Sequence, residues 1–488
     1  MRRILILVSL VLVIALGLAG IPVHFDEAQY STWLAHPDWS YQTKGPLVTA
    51  VQSVTHGIEI LPQVVQVRMT AWIAWLCSAV LILWLARLSG FDVSRSRKLL
   101  ILFVTSPMLL IVGAIQTTDI WLLFFMLLAL CAFAQVLHCR PNTHTELWWI
   151  LMGGALGFGA LAKLSVALVP LSIAPWVLLR NPRIIFTTGP YLGVFFCGLC
   201  MTPWILWNDL NGYAHLFHEF SHVGANANAD SFLHSIDWIP FLLLAAPMTI
   251  FISIFGGLSI YNEGFFSEAE SSVREMLKYS FLTMFVLFVF KGFFGEILIN
   301  WTLPLVPVFL MGLASRLKWP AKTLLAVGIA QIVLLVVVLF PYGVGLGHSQ
   351  DLFQKNRGWD EMIERAARIA GPVDVITADR YTTLALALYL WPSKASNDAR
   401  YIEPTGQVIP SVSRRRNQYD NWQVLDHDYA RVVHLGEHSQ PLARRCLSFK
   451  KLGEVPQVMP DGTIRSVLGI HECLGFSPVP AWPQVTRH

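Results

Sequence analysis

Charge is what this sequence has least of. Only 14% of its 488 residues are Asp, Glu, Lys or Arg, against 55% hydrophobic, and the mean hydropathy is +0.54. Those proportions exclude a large soluble enzyme, and a formal charge of +4 spread over such a chain is no nucleic-acid signal. Cysteine is scarce too, with seven in all. Cys77, Cys131, Cys197 and Cys200 lie in apolar runs and Cys139 in a short polar loop, where a thiol packs as a small hydrophobe. The Cys197-Gly198-Leu199-Cys200 spacing matches a redox or zinc pair, but its apolar surroundings favour packing. Three further absences count. There is no internal repeat and no set of polar groups midway along the apolar runs, as alternating access would require. No cytoplasmic loop is long enough for the output domain of a sensor. No compact carboxylate set has metal-ligand spacing, so no metal site and no cofactor is expected, and a divalent cation is not indicated.

What is present is a series of about eleven apolar runs, near 3–20, 65–86, 99–115, 120–137, 147–162, 164–179, 188–206, 237–260, 279–295, 302–314 and 322–341. Roughly 20 apolar residues cross a bilayer, so the fold class is a polytopic α-helical membrane protein. The runs 147–162 and 164–179 are short and meet at Lys163, as a tight hairpin would. Arg2-Arg3 before the first run resembles a signal peptide, but the many runs behind it favour an uncleaved first helix.

Basic residues give the orientation. Up to Tyr342, fourteen Lys and Arg fall in loops on the N-terminal side of the membrane, and four fall on the other: Lys44, Arg68, Lys163 and Lys291. That asymmetry predicts a cytoplasmic N-terminus and, after an odd number of spans, an external region 342–488. Each of the four exceptions then needs its own reason to be there, and binding an anionic group such as a phosphate is the economical one. Arg68 and Lys291, at helix ends, can alternatively snorkel to the outer headgroups.

The external loops carry the polar chemistry. Residues 21–64 are rich in Trp and Tyr, as interfacial helices are, and contain the adjacent carboxylates of His24-Phe25-Asp26-Glu27-Ala28-Gln29-Tyr30. Paired acids just beyond an apolar span are costly near lipid and mark a site unless they only cap a helix. The short turn Gln116-Thr117-Thr118-Asp119 sets another carboxylate at the head of a span. In the loop after 206, His215, His218, Glu219 and His222 fall at i, i+3, i+4 and i+7, one helical face suited to a polar cavity, to substrate or to a metal. The next loop holds Glu296, Asn300 and Trp301.

Past Tyr342 the composition changes. A Gly-rich linker at 343–347 precedes a helix near 359–370, strand-like Val373–Thr377 and an apolar stretch Leu384–Leu390. This predicts a small external α/β domain over 342–488, beyond a membrane domain of 1–341. Within it, Cys446 and Cys473 are the pair expected to form a disulfide outside the cytoplasm. Arg414-Arg415-Arg416 is a basic run suited either to an anionic surface or to plain solvation.

Phe25-Asp26-Glu27-Ala28-Gln29-Tyr30, Lys44-Gly45-Pro46-Leu47, Thr118-Asp119 and Gly157-Phe158-Gly159-Ala160-Leu161-Ala162-Lys163, with Asn300-Trp301, Pro304 and Pro307, resemble the signature blocks of the family 39 GT-C glycosyltransferases. These include the protein O-mannosyltransferases and the bacterial aminoarabinose and galacturonic acid transferases of lipid A and core. The resemblance runs through residues 1–340 in order. It implies a GT-C fold and a membrane enzyme in the bacterial inner membrane. Such an enzyme takes a sugar from a polyprenyl-phosphate donor at the outer face and passes it to a glycolipid acceptor such as lipid A or core, or to a protein acceptor. By position it implies Asp26, with Glu27, and Asp119 as catalytic carboxylates, and Lys44 as the donor-phosphate ligand; the need to neutralise a departing phosphate adds Lys163, Arg68 or Lys291 as assisting cations. Tyr30, His215, His218, Glu219, His222, Glu296 and Asn300 are the expected substrate contacts. The block usually reads Lys-Pro-Pro; Gly45 departs from it and implies a less rigid turn at Lys44. A transporter is the alternative from a different class.

Overall fold

The computed structural model describes residues 2–139, 145–224, 239, 243–255, 272–292, 297–347, 349, 351–371, 373, 375–391, 405–408, 429–437, 440–443 and 446–476. In chain order the helices are α1 (Arg2–Ala15), α2 (Phe25–Trp33), α3 (Leu47–Ser53), α4 (Gln63–Leu88), α5 (Val93–Thr105), α6 (Pro107–Ala114), α7 (Thr118–His138), α8 (Glu146–Ala162) and α9 (Leu168–Arg180). They continue as α10 (Thr188–Leu210), α11 (Ala214–Gly224), α12 (Pro247–Phe255), α13 (Ser272–Gly292), α14 (Val306–Arg316), α15 (Ala321–Leu339), α16 (Trp359–Ala370) and α17 (Tyr381–Leu390). The strands are β1 (Val375–Ala378), β2 (Thr405–Val408), β3 (Tyr429–Leu435), β4 (Cys446–Val458) and β5 (Ile464–Phe476).

The chain divides into two compact units, Met1–Gly20 with Asp38–Val336, and Ile21–Pro37 with Val337–His488. The expected division at 341/342 lies close to Val337, but the segment carrying α2, and with it Asp26, groups with the C-terminal region.

The first unit is helical. Among the described residues, α4, α7, α10 and α15 are long and apolar enough to cross a membrane, and α5 with α6 makes a fifth if the bent pair counts as one span. That pair bends by 57° where the sequence suggests one continuous run. Pro107 is the cause, because it disfavours helical geometry at Ser106, which turns extended (ψ 118°) and caps the next helix through its hydroxyl. The hairpin expected at Lys163 is present, with one 3-10 turn, Leu164–Ala167, between α8 and α9. Helices α8 and α10 approach closely through glycine: a Cβ on Gly153 would lie 2.1 Å from the Gly193 carbonyl oxygen, and one on Gly157 would lie 2.6 Å from Cys200 Cβ. Cys197 and Cys200 are therefore half-buried thiols in a helix contact.

The second unit is a five-stranded mixed sheet, ordered β2-β1-β3-β5-β4, with β1 parallel to β2 and β3, and β5 antiparallel to β3 and β4. All four residues of β1 are buried, as an inner strand covered on both faces requires. Helix α16 turns Met362, Ile363, Ala366, Ala367 and Ala370 inward and pairs Glu361 with Arg365 and Glu364 with Arg368 outside. Helix α2 packs on α17, with Phe25 edge-on to Tyr381 at 6.4 Å. Cys446 and Cys473 form the expected disulfide. The basic run 414–416 lies outside the described residues.

Candidate active site

Asp119 is the centre of a polar cluster in the first unit. It occupies the first turn of α7, where Thr117 caps the helix and the N-terminal dipole favours a carboxylate. The turn before it is pinned to α4 by a bond from Gln116 Nε2 to Thr70 Oγ1 (2.9 Å). Lys163 Nζ donates to Asp119 Oδ1 at 2.7 Å, and Asn300 Nδ2 donates to Asp119 Oδ2 at 3.1 Å. Lys163 is set in place by the end of α8: its N–H closes the helix on Gly159, and its own extended backbone begins the 3-10 turn. Asn300 comes from a second 3-10 segment, Ile299–Leu305. Three separated stretches thus meet on one carboxylate that keeps slight solvent exposure.

Lys44 belongs to the same unit, on a turn closed by the bond from Tyr41 N–H to the Lys44 carbonyl (3.1 Å). Gly45 explains itself here. A Cβ at this position would stand 2.0 Å from the carbonyl oxygen of Leu161, so the turn lies directly on the last turn of α8, two residues before Lys163. The looser turn expected from the missing proline is corrected: no residue with a side chain fits without moving one backbone from the other.

The histidine face of α11 also meets this turn. His215 is buried, with Trp204 Nε1 donating to its Nδ1 at 2.9 Å, Ser40 Oγ 3.3 Å from the same nitrogen, and Glu219 Oε1 3.7 Å from Nε2. Burial raises the Glu219 carboxyl, but His215, Lys44 and His218 together more than offset it and hold the group below the ordinary glutamate range. His215 is therefore an internal residue, correcting its expected role as a substrate contact. The side chain of His222 and all of Glu296 lie outside the described residues. Among the described residues no three His, Cys, Asp or Glu gather as metal ligands.

The expected pair Asp26 and Glu27 separates in the second unit. Glu27 is a correction: its carboxylate accepts from the His24 N–H at 2.9 Å and completes a capping box at the start of α2. Among the described residues Asp26 has a 3.8 Å approach to His24 Nδ1, and it keeps 22% exposure. Tyr30 is fully buried and packs edge-on against Trp33, which makes it core instead of a substrate contact. Arg68 is likewise corrected, since its buried guanidinium donates to the Gly17 carbonyl and ties α4 to the first segment. Lys291, in the last turn of α13, stands 5.5 Å over the Trp301 ring.

Sequence reasoning missed Trp204, Ser40 and Thr70. Their roles come from long-range packing, and no local spacing announces them. The available hint was an indole N–H in an apolar stretch of α10, which Trp204 and Trp207 both carry.

A family model described as dolichyl-phosphate-mannose-protein mannosyltransferase matches residues 43–207. A lipid A galacturonosyltransferase, RgtD, of Rhizobium johnstonii is 22% identical over 75% of this chain and 76% of its own length. An undecaprenyl phosphate-alpha-4-amino-4-deoxy-L-arabinose arabinosyl transferase of Pectobacterium atrosepticum is 28% identical over 36% of this chain, which spans about a third (33%) of that relative. Among solved structures, ArnT from Cupriavidus metallidurans superposes with TM-scores of 0.64 in the apo state and 0.61 bound to undecaprenyl phosphate. In both states it is 15% identical and covers 96% of this chain and 97% of its own. The resemblance to the GT-C glycosyltransferases read from the motifs thus recurs in family model, relatives and fold.

Proposed function

We propose that this chain, built on the GT-C fold, is a membrane glycosyltransferase that moves a sugar from a polyprenyl phosphate, undecaprenyl phosphate in the bacterial case, to a cell-envelope glycolipid of the lipid A or core type. The observation that carries the reading is the Asp119 cluster, in which a carboxylate at a helix head is held by a lysine and an amide from two other segments. The similarity to RgtD over three quarters of the chain favours a glycolipid acceptor over a protein one.

In the proposed reaction the bond between the anomeric carbon and the phosphate oxygen breaks, and a new bond forms from that carbon to an acceptor oxygen. Polyprenyl phosphate leaves. An acceptor hydroxyl gives its proton to a carboxylate, and Asp26 suits this task because Glu27 is engaged in the cap. An acceptor phosphate has no proton to give, and the carboxylate then orients the sugar. Lys44 and Lys163 neutralise the departing phosphate, as cations at a site of developing charge do. Asp119 orients Lys163, and Asn300 holds Asp119. The apolar spans take the lipid tail. The enzyme is assigned to the bacterial inner membrane, with its chemistry and residues 342–488 on the periplasmic side; the Cys446–Cys473 disulfide supports that side.

The test is mass spectrometry of lipid A and core from cells with the protein, without it, and with Asp26→Asn or Asp119→Asn. Loss of one sugar mass in the deletion and in both variants, restored by the wild-type chain, is expected. Unchanged lipopolysaccharide in the deletion would overturn the glycolipid acceptor, and glycoproteomics would then examine the protein one.

A further inference from the structure

Two histidines stand opposite each other on β3 and β5 of the second unit, His434 and His471, and they are served unequally. His434 is fully buried with both nitrogens engaged, Nδ1 at 3.0 Å from Thr377 Oγ1 and Nε2 at 3.0 Å from Asp379 Oδ1. His471 is nearly as enclosed, at 8% exposure, with its ring stacked on Phe449 (5.6 Å between centroids, 9° between planes). Among the described residues its buried Nδ1 has no hydrogen-bond partner. Such atoms are rare in folded proteins and call for a cause. His434 cannot serve as the partner, because neither of its nitrogens is free.

The His471 ring is one wall of a cavity of about 280 Å3 that lies wholly within this unit, lined also by Gly436, Glu437, Lys451, Glu454, Val467 and Gly469. The sheet is built to make it. His471 and Gly469, two residues apart on β5, pair with Lys451 and Glu454, three apart on β4, because the register shifts between Lys451 and Gly453. Without that bulge Lys451 and Glu454 would point to opposite faces; with it both turn to the cavity and form an ion pair there. Gly469 keeps the floor bare: a Cβ would stand 2.7 Å from the Gly436 carbonyl oxygen and 2.9 Å from His471 Cε1, the atom beside the unpartnered nitrogen.

The lining selects the ligand. Two carboxylates accept, an ammonium donates, and a neutral imidazole does one at each nitrogen, which suits sugar hydroxyls, each both donor and acceptor. Burial, with His434 and Lys451 adding to it against Asp379 and Glu454, holds the His471 imidazole below the ordinary histidine range and so neutral. A phosphate is disfavoured by Glu437 and Glu454, since the charge of Lys451 is already met by Glu454. The volume is at the small end of ligand cavities, the size class of one sugar residue. We infer that this cavity is a saccharide site, holding one phosphate-free sugar residue of the acceptor glycolipid with a hydroxyl bonded to His471 Nδ1. The acceptor assignment rests on the glycosyltransferase reading; sugar binding itself does not.

The test is saturation-transfer NMR on the full chain in lipid nanodiscs, with core oligosaccharide freed of lipid and phosphate as the probe. The wild-type chain should bind it. His471→Phe keeps a ring to stack on Phe449 and removes the nitrogens, and should weaken binding about tenfold, the scale of one hydrogen bond. Val467 is 42% exposed, so Val467→Trp fills the cavity without disturbing the core and should weaken binding by about tenfold or more. In a transfer assay both variants should raise the acceptor KM and leave kcat unchanged. No binding by the wild-type chain, binding indifferent to both variants, or binding that requires the phosphates would each overturn the inference. The two readings fail separately. Binding that both variants lose, in a protein whose deletion leaves lipopolysaccharide unchanged, would sustain the saccharide site and overturn the transferase. A sugar mass lost on deletion, with no oligosaccharide bound by the wild-type chain, would do the reverse.

Discussion

Asp119 and Asp379 both accept hydrogen bonds at the end of a regular element, yet the partners described for them differ in kind. Asp119 is held by Lys163 and Asn300, two side chains reaching in from separate segments. Asp379, just past β1, is held by His434 Nε2 at 3.0 Å and by the Glu437 N–H at 2.7 Å, a fully buried ring and a backbone group. The turn above Asp379 passes so close that a Cβ on Gly436 (φ +152°) would lie 2.2 Å from its Oδ2. Side-chain partners with rotatable bonds can be shared with an arriving ligand; a ring and a peptide packed into a sheet cannot. Two hydrogen-bonded carboxylates are therefore suited to different uses, Asp119 to the proposed chemistry and Asp379 to holding a turn.

The largest expected effect follows from that difference. Asp119→Asn, like Asp26→Asn, should lower sugar transfer by about 100-fold or more, the scale of a lost acid–base or charge-orienting group, while the thermal midpoint is unchanged. Asp379→Asn should do the reverse. It leaves His434 or the Glu437 N–H poorly matched at about 1–3 kcal/mol, seen as a fall of roughly 2–4 °C per kcal/mol in a unit of this size, with turnover per folded molecule retained. Transfer assays on purified variants, paired with circular dichroism melts, check both. An Asp379→Asn protein that melts normally but has lost transfer would break the comparison.

Gly45→Ala sharpens the comparison from the Lys44 side. Its Cβ must displace the turn from Leu161, and a shift of that order at a positioning cation costs about 10- to 100-fold in rate. Lys44→Ala should then show that the two losses share one cause, because Gly45→Ala should add little in its background. Gly436→Ala, crowded against a carboxylate in the other unit, should instead lower the melting temperature with little effect on transfer.

How much of this was legible in the sequence depended on the range of the forces involved. Hydropathy and helical periodicity act locally along the chain, so the apolar runs of α4, α7, α10 and α15 and the approximate limits of α16 could be read directly, whereas Leu384–Leu390 could be read as apolar but not as the helix α17. The Asp119 cluster was half legible: Asp119, Lys163 and Asn300 each stood out as a polar residue at an external span end, but their convergence needed the fold. Glu27 misled because a capping box and a catalytic pair look alike until the N–H of His24 is placed. Arg68 misled because a helix-end arginine that snorkels and one that ties two helices together share the same sequence position. Gly45 read as looseness, when the cause was a neighbouring backbone 116 residues away in sequence, at Leu161.

The smallest expected effect concerns acid. Glu472 on β5 is buried between Lys450 and Arg431, with Oε2 2.9 Å from Lys450 Nζ and Oε1 2.6 Å from Arg431 Nε, and these donors hold its carboxyl below the ordinary glutamate range despite burial. A group depressed in the folded state contributes its full stability above the unfolded-state value. That contribution is lost as pH falls from the ordinary glutamate range through the lowered folded value. The contribution of Glu472 should therefore stay constant down to the ordinary glutamate range and fall progressively below it. Glu472→Gln should be less stable near neutrality and flatter in acid, so that the two proteins converge as the wild-type carboxyl protonates. Parallel curves that never converge would show that Glu472 acts only by filling space, and would remove charge from the account of how this sheet is held.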